Sequence, residues 1–380
     1  MIFSSMEYLF LFLPGAFVAY WAVRSLWRRG SGSMGIWVLL LCSLFFYGVW
    51  SLPFLGLLLL SVVFNFCWGK LLRRRRGCRF LTGVGIVVNC LPLVFFKYTN
   101  FLLSNALGLL GLTGSVEQFD LVLPLGISFF TFQQIAYLVD CSRGGVPNYA
   151  FAPFALFVSF WPQLIAGPIV HHRELIFQLL RIRSCLSVRH VTVGFYILCC
   201  GLFKKLVLAD SFGMIADWGG SNQQCMTAGT AWLVTMAYTC QLYFDFSGYC
   251  DMAWGSALLF NIKLPFNFRS PYHARSLQDF WRRWHITLSI WLRDYLYISF
   301  GGSRRGFPRT LINVMLTFLI GGLWHGAGWT FVLWGGMHGV GLCICRIWKK
   351  YSRFSMPTVL GVALTFLLSI WLGFFSVRQI

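Results

Sequence analysis

Long apolar runs recur along the whole chain, and they constrain the fold more than any other feature of the sequence. Of the 380 residues, 58% are hydrophobic and 11% are charged, and most charged residues fall in short connectors between the runs. A soluble protein of this length could not cover so much apolar side chain, whereas about 20 consecutive apolar residues form a helix that crosses a bilayer. The sequence therefore predicts an all-α polytopic membrane protein.

Basic residues give the chain a formal net charge of +20, but their distribution argues against a nucleic-acid partner. They cluster in connectors, first at Arg24–Arg29 and then at Lys70–Arg79. Such clusters mark cytoplasmic loops and attract anionic lipid headgroups. Counting the spans puts both clusters on the same face. We therefore expect membrane lipids as the partner of these residues, and the N-terminus outside.

Hydropathy predicts about ten or eleven membrane helices, together with interfacial or re-entrant helices. The clearest predicted spans are 8–22, 35–50, 53–68, 80–96, 121–139, 151–170 (broken at Pro162 and Gly167), 191–209 and 359–375. Phe101–Leu112 is too short to cross upright and is re-entrant, interfacial or part of a tilted helix. Glu174–His190 is polar and predicts a surface helix. Ala228–Ile262 is long enough for two elements, with a break predicted at Asp245–Gly248.

Two histidines with tryptophan neighbours are the main functional candidates. In the segment DFWRRWHITLSIWLRDYL, aromatic and apolar residues recur at helical spacing from Trp281 to Tyr295, with arginines between them. This pattern predicts one amphipathic helix at the membrane surface, carrying His285. His325 lies in GGLWHGAGWTFVLWGG, between two apolar runs. We expect His325 near bilayer depth, where an ionisable side chain is costly and is a functional candidate by default.

Five long motifs carry a resemblance to a known family. They are FWRRWHITLSIWLRDYLYISFGGSRRG, GGLWHGAGWTFVLWGGMHG, PLGISFFTFQQIAYLVD, FWPQLIAGPIV and QLYFDFSGYCDMAWG. On these motifs the chain resembles the membrane-bound O-acyltransferases (MBOAT), and among them the bacterial alginate O-acetylase branch. The resemblance implies one membrane domain over residues 1–380, helices around a central pore or funnel, and a catalytic motif region over residues 279–336.

The same resemblance implies transfer of an acetyl group, in the bacterial cytoplasmic membrane, to a hydroxyl of an exported polymer. The expected donor is cytoplasmic acetyl-CoA or a similar thioester, with no permanently bound cofactor. The acceptor stays open between an exopolysaccharide such as alginate, peptidoglycan, a teichoic-type polymer and a periplasmic partner protein that relays the acetyl group. No metal is expected, because there is no HExxH motif and no His/Cys pair at ligand spacing.

Acyl transfer to a hydroxyl needs a base that takes the hydroxyl proton. The resemblance implies that His325 is this base, and desolvation is expected to lower its pKa so that it stays neutral. His285 then matches the second characteristic histidine, which orients the donor thioester, polarises its carbonyl or holds a helix in place. On the residues alone, His325 could equally be structural and His285 interfacial. His338, within a span, is expected to be structural, and His171 and His172 to face the interface.

Three polar residues in an apolar stretch, Asp245, Ser247 and Asp251, are further candidates because acids in such surroundings are costly and usually paired. They either line the path to His325 or pair with arginines of the segment 269–309, and a structural ion pair is the alternative.

Eight arginines lie between residues 269 and 309. Arg282 and Arg283 among them are candidates for binding the phosphates of coenzyme A, since arginine pairs well with phosphate oxygens. Anchoring of the cytoplasmic face is the alternative and needs no ligand. Trp324, next to His325, is a further candidate for the donor path.

Two other function classes stay open at this point. Members of the resembled branch continue past this C-terminus with further membrane helices, so we expect either a short form or a truncated chain, whose activity is less secure than its family membership. A transporter or flippase for a lipid-linked saccharide would also use broken helices and intramembrane charge, but it predicts repeat symmetry, which we do not find. A catalytically inactive scaffold is the third possibility.

Overall fold

The structure, a computed structural model, describes residues 2–377 apart from 27–30, 112–118, 166, 182–184, 223 and 225. Every regular element in these described ranges is helical, which confirms the predicted all-α fold. The predicted basic residues Arg28 and Arg29, and the chain end from Arg378, lie outside the described residues.

The chain forms two compact units. The first comprises Met1–Leu202 with Tyr249–Pro265, and the second comprises Phe203–Gly248 with Phe266–Ile380. The predicted catalytic region, residues 279–336, therefore lies entirely in the second unit.

The helices of the first unit are a π-helical segment at Glu7–Phe12, α1 (Leu13–Leu26), α2 (Ser31–Gly48), α3 (Leu52–Arg74), α4 (Arg79–Leu109), α5 (Ile127–Arg143), α6 (Phe151–Ser159), α7 (Trp161–Leu164), α8 (His172–Arg181) and α9 (Val188–Leu202). The predicted span 80–96 and residues 101–109 of the short stretch after it belong to one helix, α4. The predicted surface helix 174–190 corresponds to α8, which ends at Arg181. Helix α9 begins at Val188, slightly before the predicted start of the span 191–209.

Helix α5 begins at Ile127, whereas the predicted span began at residue 121. Gly126 has a left-handed backbone (φ 70°) that precedes Ile127, so the chain before it is not helical. A Cβ at Gly126 would collide with the carbonyl oxygen of Leu164, and only glycine fits this close approach. The predicted break in 151–170 is confirmed: α6 ends at Ser159, and Phe160 separates it from α7.

Buried amides join α3, α4 and α5. The Asn65 Nδ2 donates to Asn89 Oδ1 at 2.8 Å and to Gln134 Oε1 at 2.7 Å, and Asn89 Nδ2 donates back to Asn65 Oδ1 at 2.9 Å. Polar side chains of this kind hydrogen-bond across membrane helices, where lipid offers no alternative partner. The three helices are therefore held in one register.

The helices of the second unit are a π-helical segment at Phe203–Ala209, α10 (Asp210–Ser221), α11 (Ala228–Leu258, to Gly248 within this unit), a 3₁₀ turn at Pro271–His273, α12 (Leu277–Phe280), α13 (Ile286–Trp291), a π-helical segment at Leu292–Tyr297, α14 (Phe307–His325), α15 (Trp329–Tyr351) and α16 (Thr358–Val377). The prediction of a break at Asp245–Gly248 is wrong, because α11 runs through it without interruption.

The prediction that one amphipathic helix carries His285 is also wrong. Helix α12 ends at Phe280, and the chain forms a turn over residues 281–285 before α13 begins. Backbone hydrogen bonds from Arg269 N to Arg283 O and from Ile286 N to Asn267 O, both 3.0 Å, pair this turn with an irregular segment. Its tryptophans pack in a buried core with Leu277, Phe280, Val314 and Leu342 rather than at a membrane surface.

Helices α14 and α15 form a tightly packed hairpin. A Cβ at Gly322 would meet the carbonyl oxygen of Phe331, and a Cβ at Gly335 would meet that of Phe318. Small residues allow membrane helices to approach this closely. The hairpin places His325 at the end of one helix, next to the start of the other.

Six helices within the described ranges are long and apolar enough to cross a membrane: 7–26, 52–74, 79–109, 188–221, 307–325 and 329–351; two shorter apolar helices lie at 33–48 and 358–371. The polytopic membrane character is therefore confirmed. The count of ten or eleven crossings stays a prediction.

Candidate active site

His325 is the last residue of α14, and its side chain is exposed. Its ring lies against two indoles, with centroid separations of 4.8 Å to Trp324 and 4.9 Å to Trp334. The side chain is therefore not covered by the protein, and it is flanked by aromatic rings on two sides. The lowered pKa expected for His325 stays a prediction.

The turn that follows His325 is closely packed. A Cβ on Gly326 would collide with the ring of Phe331 in α15. Gly326 therefore lets the aromatic side chain cover the backbone directly after the histidine, which holds the end of α14 in place.

His285 differs from His325 because it is buried, with 2% of its surface exposed. It lies in the turn between α12 and α13 with a left-handed backbone (φ 42°, ψ 55°). A non-glycine residue in this conformation is strained and is characteristic of functional sites. The ring packs edge-on against Phe246 of α11, with centroids 4.7 Å apart.

Asn267 determines the tautomer of His285. The Oδ1 atom of Asn267 accepts from the Thr287 backbone N–H at 3.2 Å and from the Thr287 hydroxyl at 2.8 Å, so this atom is the amide oxygen. The His285 Nδ1, 3.3 Å from the same oxygen, must then carry the proton and donate it. In the neutral ring, Nε2 keeps its lone pair and acts as an acceptor.

Burial lowers the pKa of His285 well below its ordinary value of 6.5, and the nearby His325 lowers it further. The charge of each histidine therefore affects the other, and His285 is neutral at physiological pH. The two histidines predicted from sequence thus lie in the same unit and are electrostatically coupled.

A third histidine, His338 of α15, packs next to this pair. It is buried, with 3% of its surface exposed, and its Nδ1 accepts from the Trp281 indole N–H at 3.2 Å. The Trp334 ring lies 4.6 Å from the His338 ring and 4.9 Å from that of His325. These contacts agree with the structural role predicted for His338.

A cavity of about 350 Å³ opens beside Trp281. Its apolar wall includes Val314, Phe318 and Leu342. Its polar lining is Gln278 together with three arginines and three hydroxyl residues: Arg282, Arg293, Arg346, Ser289, Tyr297 and Thr317. Within the described residues, the buried hydroxyls of Ser289 and Tyr297 have no hydrogen-bond partner. Unpaired buried hydroxyls are costly unless a ligand or water satisfies them.

The two neighbouring arginines predicted to bind the donor have different surroundings. Arg282 lines the cavity. Arg283 does not, and its Nε donates to Asp279 Oδ1 at 3.0 Å. Burial alone would raise the pKa of Asp279, but hydrogen bonds from Arg283 and from the Arg275 backbone hold it below its ordinary value.

The three polar residues predicted as candidates in α11 have different surroundings. Asp245 pairs with Lys205, at 2.9 Å from Nζ to Oδ1, and Lys205 also pairs with Asp210 at 2.8 Å. Among the alternatives, a structural ion pair is therefore the one found for Asp245. The Ser247 side chain is buried, and Asp251 is half-buried in the part of α11 that belongs to the first unit.

Asn267 and Arg346 were not among the residues predicted from the sequence. Asn267 lies in an irregular segment where no motif marks it, and only the fold brings it to His285. Arg346 had a usable signal, because it is a charged residue inside the apolar helix α15, and such residues are functional candidates.

The chain is thus a helical membrane protein whose second unit contains both histidines and the arginine-lined cavity. The model of the MBOAT, or membrane-bound O-acyltransferase, family matches residues 146–378. The chain belongs to this family and is an O-acyltransferase.

Relatives extend the match along the chain. A peptidoglycan O-acetyltransferase from Helicobacter pylori is 42% identical over 96% of this chain and 75% of its own length. A probable alginate O-acetylase from Azotobacter vinelandii is 42% identical, over 91% of this chain and 69% of that protein. A teichoic acid D-alanyltransferase from Streptococcus thermophilus is 28% identical, over 60% of this chain and 58% of that protein.

Proposed function

We propose that this O-acyltransferase moves an acetyl group from a cytoplasmic thioester to a hydroxyl of an extracytoplasmic polysaccharide or cell-wall polymer. The names of the peptidoglycan and alginate relatives support the acetyl group and the polymeric acceptor. The observation that carries the proposal is that two coupled histidines lie in the same unit as a cavity lined by three arginines.

His325 is the general base in this proposal. Its exposed imidazole takes the proton of the acceptor hydroxyl as the oxygen attacks the thioester carbonyl. A C–O bond forms, the C–S bond breaks, and the imidazolium returns the proton to the departing thiolate. The indoles of Trp324 and Trp334 pack against the ring and limit its movement.

His285 supports the reaction as an acceptor. Because its Nδ1–H is directed to Asn267, its neutral ring presents a lone pair rather than a proton. It therefore orients a hydroxyl or thiol by accepting a hydrogen bond. Polarising the donor carbonyl would need an N–H at the other ring nitrogen, so that role is disfavoured.

The donor occupies the cavity beside Trp281. Arginine guanidinium groups bind phosphate oxygens. The cavity lining contains three such groups, those of Arg282, Arg293 and Arg346. The unpartnered hydroxyls of Ser289 and Tyr297 are directed to the polar part of the same molecule. Acetyl-CoA has the negative phosphates and the apolar arm that this lining suits.

The orientation follows from charge. We propose that the Lys70–Arg79 connector faces the cytoplasm of a bacterium, that the N-terminus is outside, and that the acceptor side is extracytoplasmic. A periplasmic partner that relays the acetyl group to the polymer is part of the same proposal.

The experiment for the function is transfer of label from radioactive acetyl-CoA, added to inverted membrane vesicles that contain the chain. We expect label in the enclosed polymer or on a partner protein, and none with vesicles that lack the chain. Movement of unlabelled saccharide without any acetyl transfer would instead support a transporter.

Arg282 and Arg283 form a matched pair that tests the donor cavity. We expect Arg282→Ala to raise the donor KM about tenfold, as loss of a hydrogen bond to a charged group does, with kcat little changed because the loss is in binding. Arg283→Ala is the control. It also removes one positive charge, but Arg283 pairs with Asp279 and does not line the cavity, so the donor KM of this variant should stay near that of the wild type. Equal KM values for the two variants would contradict the assignment.

A further inference from the structure

Two adjacent histidines and an aspartate converge in the first unit, in an arrangement that acetyl transfer does not use. The Nε2 atoms of His171 and His172 lie 2.8 Å and 3.1 Å from the same oxygen, Oδ2 of Asp140. One ligand atom from each of the three residues lies within 4.8 Å of the others. Asp140 is in the last turn of α5, and His172 begins α8.

The surroundings hold these side chains in place. The far nitrogen of His172, Nδ1, is 3.1 Å from the Tyr149 hydroxyl, and the His172 ring packs edge-on against that of Tyr137 at 5.7 Å. The His172 side chain is fully buried, whereas that of His171 is 31% exposed and gives access from solvent.

We propose that Asp140, His171 and His172 bind a divalent transition-metal ion of the zinc class. Imidazole and carboxylate ligands suit zinc and disfavour magnesium or calcium, which prefer oxygen ligands alone. Two histidines with one carboxylate leave a fourth tetrahedral position open. The ion links the end of α5 to the start of α8.

The two nitrogen–oxygen distances fit this ion after a small adjustment. Ligand atoms at about 2.0–2.1 Å from a tetrahedral zinc are about 3.3–3.4 Å apart. The two present nitrogen–oxygen distances are slightly shorter than this, so each opens by a few tenths of an ångström as the ion enters. A metal-bound histidine is usually oriented by a hydrogen bond from its other ring nitrogen. His172 already has such a partner, because its Nδ1 contacts the Tyr149 hydroxyl.

Two features weaken the binding. The Arg143 Nη1 lies 3.9 Å from Asp140 Oδ1, and a cation there opposes a second cation. The Arg173 backbone N–H donates to His171 Nδ1 at 3.3 Å, which favours the tautomer with a proton on Nε2. Binding moves the proton of each ring from Nε2 to Nδ1, so His171 loses this long hydrogen bond. The site is therefore expected to be weaker than a closed structural zinc site, and metal exchange to be possible.

The test uses the full chain, purified in detergent, stripped with a chelator and desalted. Isothermal titration with Zn²⁺ should show one site, and His171→Gln or Asp140→Asn should abolish it. Tyr149→Phe should weaken it about tenfold, as loss of an outer-shell partner does. His190→Gln is the control, because His190 belongs to the same unit but bonds Asn261 at 2.9 Å, outside the cluster. Size-exclusion profiles verify that each variant is folded.

Cobalt absorption distinguishes this site from a cysteine site. Co²⁺ bound to the wild type should show tetrahedral d–d bands without thiolate charge-transfer absorption, and Zn²⁺ should raise the unfolding temperature of the wild type but not of His171→Gln. No Zn²⁺ binding, equal binding by all variants, or a thiolate band would overturn the proposal. None of these readouts depends on acetyl transfer.

Discussion

His325→Gln is expected to lower acetyl turnover about 10²- to 10⁴-fold, the usual contribution of a general base. Glutamine keeps a hydrogen-bonding side chain of similar reach but does not take up a proton near neutral pH. Because the His325 side chain is exposed at the end of α14, the substitution should leave the chain folded and inserted. The measurement is turnover at saturating donor and acceptor, with protein quantified in the membrane.

His325→Ala serves as the companion variant, and it should be as inactive as the glutamine variant. Near-normal turnover with glutamine but not with alanine would mean that His325 only positions a group, and the base would then have to be sought at His285. His190→Gln, a substitution in the other unit, is expected to leave turnover unchanged.

His285→Asn is the second substitution with a large expected effect. Asparagine tolerates a left-handed backbone better than most residues, so the turn at φ 42° should persist. The substitution removes the acceptor nitrogen, and we expect turnover to fall about 10²-fold. His285→Ala also removes the imidazole, and we expect the same loss of turnover. Alanine suits the left-handed backbone poorly, so this variant should be less stable than His285→Asn.

The pH dependence provides an independent readout of His285. Above pH 6.5 its ring is neutral in both the folded and the unfolded chain. Below 6.5 the unfolded chain takes up a proton that the buried ring refuses, because its folded-state pKa is lowered. The free energy of unfolding should therefore fall as the pH drops below 6.5, and fall less steeply in His285→Asn. Parallel stability curves for the two proteins would contradict the burial argument.

Long-range features of the fold were readable from the sequence because the bilayer imposes them. Lipid cannot hydrogen-bond the backbone, so each apolar run must be helical. The break after Ser159 was also readable, since Pro162 cannot continue a helix that begins before it. Family motifs marked both histidines without any coordinates.

Local boundaries were less predictable. Periodicity from Trp281 to Tyr295 indicated one helix, yet the chain turns at residues 281–285 because the backbone pairs with Arg269 and Asn267. The polar DFSG stretch indicated a break, yet α11 continues through it, and Asp245 within it pairs with Lys205. In both places the observed contacts come from residues distant in sequence, which a short window of residues does not contain.

The sequence by itself determined the class of protein, the helical membrane fold and the identity of the two histidines, since each depends on composition or on a contiguous motif. The tertiary structure alone decided which histidine is buried, which tautomer His285 adopts and which of two adjacent arginines lines the cavity. It also brought Asp140 to His171 and His172, which lie 31 and 32 residues further along the chain. These properties depend on the distances between atoms of different helices, and those distances exist only once the helices have packed.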